Sequence, residues 1–328
     1  MRGESANERH HPIVSMAMGP ARAAPAFKNC DVCDVLRAGA DAIFLAHFEE
    51  MKRRRTWFFR VARLLVVVVI LILMLRWFEH SQVYHPDRIL VATGNELGRP
   101  FEDVHFNASD GVKLHGWYFP CDTNSARKNL VVLICHGNAG NISHRLSLSR
   151  ALLATGVNVF VFDYRGFGRS QGVPSESGTY LDAQAAHHWL QTRAFAPEKI
   201  ILFGESLGGG VASEVAVREK TAGLVLQSTF SCIPDIGAEL FPWLPVRWIG
   251  SIKYDTCAKL PKIKVPVLIM HSRADDLIGF QHAERNFAKA NEPKLLWELQ
   301  GAHNESVTDE EHFAKGFESF LGIVQKSL

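Results

Sequence analysis

The sequence predicts an α/β fold: a mostly parallel central sheet with helices on both faces, preceded by an apolar anchor helix. Three observations predict it. From Leu130 onward, short apolar runs alternate with helix-period segments, the pattern of βαβ units. Before them, residues 101–119 alternate around Ser109-Asp110-Gly111, a hairpin signal that places an antiparallel pair at the start of the sheet. One apolar run ends in Gly-x-Ser-x-Gly and passes directly into a helix pattern. The composition agrees: 47% hydrophobic and 21% charged in 328 residues is globular, neither disordered nor collagen-like. The part from His80 onward carries 24 Lys+Arg against 26 Asp+Glu, so it offers no basic footprint for nucleic acid. Six cysteines are too sparse for a disulfide scaffold.

Residues 1–50 hold Gly, Ala, Pro and His clusters without a sustained period and read as an unstructured extension. Cys30 and Cys33 form a C-x-x-C pair, but neither a βαβ context nor two further zinc ligands accompany it. Residues 51–80 read as a basic flank plus a transmembrane signal anchor. Met51-Lys-Arg-Arg-Arg precedes Trp57-Phe-Phe and then Leu64–Leu75, 12 residues without a polar side chain. Arg60, Arg63 and Arg76 lie near the ends of the wider stretch, where arginine can reach the headgroups, and Trp57 and Trp77 suit the interfaces. No small-residue cleavage pattern follows. The basic flank is expected to stay cytoplasmic, which sends residues 81–328 to the opposite, periplasmic, lumenal or extracellular side. A signal-like flank normally begins a chain, so Met51 is a candidate natural start.

The globular part gives strands at Leu130–Cys135, Val157–Phe162, Lys199–Phe203, Leu224–Gln227, Val265–Met270 and Lys294–Leu299. Helical patterns fall at Leu146–Ala154, Tyr180–Thr192, Leu207–Arg218, Ala283–Ala290 and Phe313–Gln325. A lid-sized insertion, 228–264, interrupts them with the aromatic stretch Phe241–Ile249.

Two segments match Gly-x-Ser-x-Gly: Gly204–Gly208 and Gly168–Gly172. A nucleophile elbow needs a strand before it and a helix after it. Ser206 has both, whereas Ser170 is followed by Val173-Pro174 and polar residues and reads as a loop residue. A serine hydroxyl needs an adjacent base oriented by a third group. The strand–Ser206–helix turn resembles that of an α/β-hydrolase, and the resemblance implies that the acid comes next in the chain, then the histidine. The strand at Val265–Met270 runs into Asp275-Asp276, and the last strand runs into Gly301-Ala302-His303. His303 is therefore the expected base, in preference to His282 and His312, which sit on helical segments. Only one of the adjacent aspartates can point at it, and spacing favours Asp275. The oxyanion of an acyl-transfer intermediate needs donors: the N–H of Leu207, and the N–H of Asn138 in the small-residue loop His136–Gly140.

These residues resemble the α/β-hydrolase superfamily from about Tyr84 to Leu328, and within it a subgroup of small membrane-anchored serine hydrolases. The resemblance rests on Tyr84-His-Pro-Asp87, His136-Gly-Asn-Ala-Gly140, Asp163-Tyr-Arg-Gly-Phe-Gly-Arg-Ser170 and Gly204-Glu-Ser-Leu-Gly-Gly209, each in order and in the expected element. It places the acid at Asp275. It implies a cofactor-free serine hydrolase acting on ester or thioester bonds through an acyl-enzyme, with peptidase-like members in the same family. A catalytically silent tethered binding module would be expected to lack one of these residues, and none is lacking. The implied partners are a small-molecule or acylated substrate and membrane lipid.

The aromatic stretch in the lid reads either as cover for an acyl chain or as the lid's own core. Asn107, Asn141 and Asn304 fit the glycosylation pattern; Asn141 and Asn304 border the expected site, where a glycan would block it, and these two read as coincidence. His187 and His188 are neighbours on one helix turn and are expected to point apart rather than share a metal. No phosphate loop, dinucleotide fingerprint or metal-ligand cluster stands out.

Overall fold

The computed structural model describes residues 31–305 and 308–327. The chain divides into two compact units after Leu71. In the first, helix α1 (Asp31–Val83) begins with Asp31 and Asp34 in its opening turn, where acidic groups favour the helix N-terminus. The helix carries a stretch long and apolar enough to cross a membrane, none of it buried, and is a candidate membrane anchor. Residues 31–50 are thus helical rather than unstructured: only Gly39 interrupts a run of helix-compatible residues. Cys33 is exposed, and Cys30 lies outside the described residues.

The second unit begins at Ile72, earlier than the boundary at 81 that the sequence suggests. The reason is that the last turns of α1 carry globular contacts. Arg76 donates to the Ile249 carbonyl at 2.9 Å. Phe78 meets Phe241 edge-on at 5.8 Å. Glu79 accepts from the Ser251 hydroxyl and the Ile252 N–H.

In chain order the strands are β1 (His85–Pro86), β2 (Glu102–Asn107), β3 (Lys113–Phe119), β4 (Val131–Cys135), β5 (Ala139–Gly140), β6 (Asn158–Asp163), β7 (Ile200–Glu205), β8 (Gly223–Gln227), β9 (Val267–Ser272) and β10 (Lys294–Leu299). The longer helices are α2 (Leu146–Ala154), α3 (Glu176–Thr192), α4 (Leu207–Arg218), α5 (Ile233–Leu240), α8 (Gln281–Lys289) and α9 (Glu310–Ser327), with the short α6 (Val246–Ile249) and α7 (Thr256–Lys259) between α5 and α8. Among the described residues, eight strands form one sheet in the order β2-β3-β6-β4-β7-β8-β9-β10. Strand β3 pairs antiparallel with β2 and β6, and the remaining pairs are parallel. The hairpin turns at Gly111, φ +85°, and forms the predicted edge.

Strand β4 shows why the sheet is covered on both sides. All five of its residues are buried, as expected of a central parallel strand, and they alternate between two cores. Val131, Leu133 and Cys135 join Val211 and Val215 of α4 and Ala183, Ala186 and Leu190 of α3. Val132 and Ile134 join Leu148 and Leu152 of α2 and Phe313, Phe317 and Phe320 of α9. The insertion between β8 and β9 holds α5–α7 and crosses the carboxyl ends of the strands, the edge where ligands bind in such sheets. Trp243 and Trp248 on it are exposed, at 74% and 91%, so the aromatic stretch is not all lid core.

Candidate active site

The strand β7 ends at Glu205, Ser206 turns the chain, and α4 begins at Leu207. Ser206 sits at φ +52°, ψ −115°, a left-handed conformation costing a non-glycine residue about 1–3 kcal/mol. Its N–H donates to the Gln227 carbonyl of β8 at 2.8 Å, which fixes the turn against the sheet. The glycines make the turn possible by closeness. A Cβ on Gly208 would stand 1.9 Å from the Cys135 carbonyl oxygen, and one on Gly204 would stand 2.4 Å from the Gly209 Cα. Helix α4 can therefore lie tight against the end of β4 only with glycine there.

Residues from three strand ends meet at this turn. The Ser206 hydroxyl lies 3.2 Å from His303 Nε2, and His303 Nδ1 lies 2.8 Å from Asp275 Oδ2. His303 follows β10 through a turn at Gly301, φ +84°. Asp275 sits in the loop after β9, where its Oδ1 accepts the N–H groups of Leu277 and Ile278 at 3.0 and 2.7 Å. Burial by itself would raise the Asp275 carboxyl, but hydrogen bonds from His271, His303 and the Ile278 N–H hold it well below the usual carboxylate range. The two adjacent aspartates divide the work, since Asp276 Oδ1 accepts the backbone N–H of His303 at 3.0 Å. One aspartate thus holds the ring and the other holds the backbone. His271 donates through Nε2 to the Ile278 carbonyl at 2.7 Å, closing the acid loop from beneath.

The loop His136–Gly140 faces the serine from the end of β4, and it is tied to the end of α1. His85 N–H donates to the Asn138 carbonyl at 2.9 Å, and Asn138 Nδ2 donates to the Val83 carbonyl at 3.0 Å. Two residues that the sequence reading missed brace the loop from the other side. Arg145 Nε donates to Glu205 Oε2 at 2.6 Å and its Nη2 donates to the Ala139 carbonyl at 3.1 Å. The Gly137 N–H donates to the same Glu205 carboxylate at 3.3 Å. The available signal was the position of Glu205, immediately before the serine in the motif.

The remaining candidates fall elsewhere. Ser170 is buried, its hydroxyl donating to the Asp163 carbonyl at 2.6 Å and accepting the His115 N–H at 2.9 Å. His282 is bonded to Ser231 and Glu239, and His312 to the Glu298 carbonyl. Asn141 is buried with its amide committed to Ser143, Asp87 and Ile89. His187 and His188 depart from expectation, because together with Glu219 they bring potential ligand atoms within 4.8 Å of one another. Helix α3 lies beside the end of α4, so Glu219 closes on both rings. Both ring nitrogens of His187 are nonetheless engaged, with the Lys220 carbonyl and with Gln191.

A cavity of about 370 Å³ opens over Ser206 and His303, bordered by Asn138, Leu207, Phe230 and Ile236. A reactive carbonyl placed there would meet the serine hydroxyl, the histidine and the loop backbone together.

Residues 131–253 match the family model described as alpha/beta hydrolase fold. A Mycobacterium tuberculosis protein, Rv2307c, named as uncharacterized, is 37% identical over 71% of this chain and 83% of its own length. The alpha/beta hydrolase domain-containing protein WAV2 of Arabidopsis thaliana is 33% identical over 65% of this chain and 76% of its own. Among solved structures, the Pyrococcus furiosus esterase Pf2001 superposes with a TM-score of 0.60 at 25% identity, over 73% of this chain and 97% of the esterase.

Proposed function

The chain belongs to the α/β-hydrolase family, and from that premise we propose that it is a membrane-anchored serine hydrolase that cleaves carboxylic ester or thioester bonds through an acyl-enzyme. The observation that carries this reading is the continuous hydrogen-bonded series Ser206–His303–Asp275 at a strained strand-to-helix turn. The similarity to an esterase structure supports it.

In the mechanism, the Ser206 O–H donates to His303 Nε2, and Nδ1–H of the same ring donates to the Asp275 carboxylate. The serine oxygen attacks the substrate carbonyl as its proton passes to Nε2. Asp275 stays ionised, fixes the tautomer and stabilises the imidazolium. The carbonyl oxygen becomes an oxyanion held by the N–H groups of Leu207 and Asn138, worth about 3–4 kcal/mol per donor in related chemistry. Collapse breaks the acyl bond, and His303 returns the proton to the departing alcohol or thiol. Water then enters, gives its proton to His303 and its oxygen to the acyl carbon. The acid leaves and Ser206 is restored.

Fluorophosphonate labelling tests this directly. The wild-type chain is expected to carry the label on Ser206 and to lose it in Ser206→Ala. Folded wild-type protein without label would overturn the reading and favour a silent binding module. In the membrane, the basic residues 52–55 argue for a cytoplasmic N-terminus and a hydrolase unit on the far side. A C-terminal reporter active only in the cytoplasm would reverse that orientation.

A further inference from the structure

The cavity over Ser206 adjoins a second space at the lid. This narrower space of about 70 Å³ lies behind it, and the two share Gln82, Val83, Ile233, Gly237 and Phe241 as walls. The far wall of the narrow space is Leu75 and Phe78 of α1 against Val246 and Ile249 of the lid. Its lining is almost wholly apolar. Leu75 is at the same time the last residue of the unbroken apolar run of α1. The two adjoining spaces thus lie in series between Ser206 and the last turns of α1, with shared side chains between them that would have to part to make one channel.

The lid around this end is itself amphipathic. Trp243 packs edge-on against Phe241 at 6.3 Å, yet it is 74% exposed and Trp248 is 91% exposed. Arg247 and Arg76 are partly exposed beside them. Exposed tryptophans beside arginines suit the headgroup boundary of a bilayer.

The opposite side of the serine is different in kind. A cleft of about 390 Å³ adjoins it, lined by His144, Arg145, Glu205, Gln227 and Glu310. Arg145, Glu205, His303 and Asn304 border both the cleft and the serine cavity. The base thus stands at the junction of an apolar and a polar compartment.

We propose that the substrate is a single-chain acyl amphiphile: a long acyl chain joined through an ester or thioester to a small polar head. This deepens the serine-hydrolase reading and rests on it. The acyl chain lies between the lid and the end of α1. The polar head lies in the cleft. Attack by Ser206 leaves the acyl chain bonded to the serine in the channel. The head departs through the cleft with the proton that His303 returns. Water arriving from the cleft then releases the fatty acid. The end of α1 is in this way both tether and substrate wall.

The test is a chain-length series on the full chain in detergent micelles. Substrates are 4-nitrophenyl butyrate, octanoate and dodecanoate, then 1-dodecanoyl-glycerol and N-acetyl-S-dodecanoyl-cysteine. The wild type is expected to favour dodecanoate over butyrate at least tenfold in kcat/KM. Val246→Trp, which fills the narrow space, is expected to lower that ratio at least tenfold. Ile249→Trp serves the same purpose if Val246→Trp fails to fold. Cleavage of 1-dodecanoyl-glycerol or of N-acetyl-S-dodecanoyl-cysteine supports the proposal, and the faster of the two identifies the ester or the thioester as the source. Butyrate cleavage with no preference for dodecanoate overturns the channel and leaves the hydrolase reading standing. So does an unchanged ratio in a tryptophan variant that still takes the fluorophosphonate label. Absence of both ester cleavage and label on Ser206 overturns the hydrolase reading itself, and the channel with it.

Discussion

Gly204–Gly208 and Gly168–Gly172 spell the same five-residue pattern and fold into opposite environments. Ser206 is held at φ +52° between β7 and α4 with its hydroxyl toward His303. Ser170 is buried between a backbone carbonyl and a backbone N–H, and bridges β6 to β3. The residues on the C-terminal side of each serine make the difference. After Ser206 come small residues that can start a helix against the sheet. After Ser170 comes Gly172 at φ +87° and then Val173-Pro174, where the residue before proline is driven away from helical conformation. A short motif gains chemical meaning from the elements that flank it.

The largest effects separate the two serines. Ser206→Ala is expected to lower ester kcat/KM by a factor on the order of 10⁶ with an unchanged urea midpoint. Ser170→Ala should do the reverse. It leaves the Asp163 carbonyl and His115 N–H without their bridge, costing about 1–3 kcal/mol of stability, while the rate per folded molecule stays close to wild type. Rates and urea midpoints on both variants check this, and an inactive but stable Ser170→Ala would exchange the assignments. The two aspartates separate in the same way. Asp275→Asn forces the wrong histidine tautomer and is expected to cost a factor on the order of 10⁴ in kcat. Asp276→Asn keeps an amide oxygen for the His303 N–H and should cost far less. Equal losses in the pair would break the division between ring and backbone support.

The glycines give the next step down. Gly208→Ala places a methyl 1.9 Å from the backbone oxygen of Cys135, with no flexible atom to yield. We expect a loss of about 4 kcal/mol or more, or failure to accumulate folded protein. Gly172→Ala meets nothing closer than 3.4 Å, from the Arg165 Cβ. Its cost is the left-handed backbone alone, about 1–2 kcal/mol. Urea denaturation of the pair measures both, and a mild Gly208→Ala would mean that α4 can retreat from β4.

Much of this was legible because it is local. Strand runs such as Val131–Cys135 are continuously apolar, and the hairpin and the strand–Ser206–helix turn are each written within a dozen residues. Ser206, Asp275 and His303 could be singled out as candidates because each follows a recognisable strand end, and the fold brings them together although 97 residues separate the first from the last. The parts that were not legible depend on contacts remote in sequence. Nothing near Phe78 signals Phe241, and nothing near Val83 signals that its carbonyl will receive the Asn138 side chain. The apolar pattern of α1 also hid the point where the helix gains globular contacts, because apolar residues suit lipid and a cavity wall equally. Arg145 carries no motif and is identified only by the carboxylate beside Ser206 that it meets.

The smallest effect probes the ground beneath Ser170. Asp163, whose carbonyl receives the Ser170 hydroxyl, is fully buried with its carboxylate 3.7 Å from His115 Nδ1 and 3.7 Å from His136 Nε2. His136 donates through Nδ1 to the Gly137 carbonyl, and burial keeps it neutral, its pKa pulled down to about 3. Its Nε2 therefore presents a lone pair to Asp163. His115 uses Nε2 toward Asp103 and turns Nδ1 toward the Asp163 carboxyl. Burial raises the Asp163 carboxyl above its ordinary value, against the lowering pull of His115 and the Ile142 N–H. A carboxyl raised in the folded state stabilises the fold fully below its unfolded pKa, about 3.9. That contribution fades as pH climbs through the folded value, because unfolding then releases a proton. Asp163→Asn, which imitates the neutral acid and keeps an oxygen for the Ile142 N–H, should remove this slope. Urea midpoints from pH 4 to pH 8 are expected to show the variant gaining on the wild type as pH rises. A wild type that loses no ground to it would mean that the carboxylate is ionised in the fold and held by its neighbours, and the contrast between Ser206 and Ser170 would then extend to the charge beneath each.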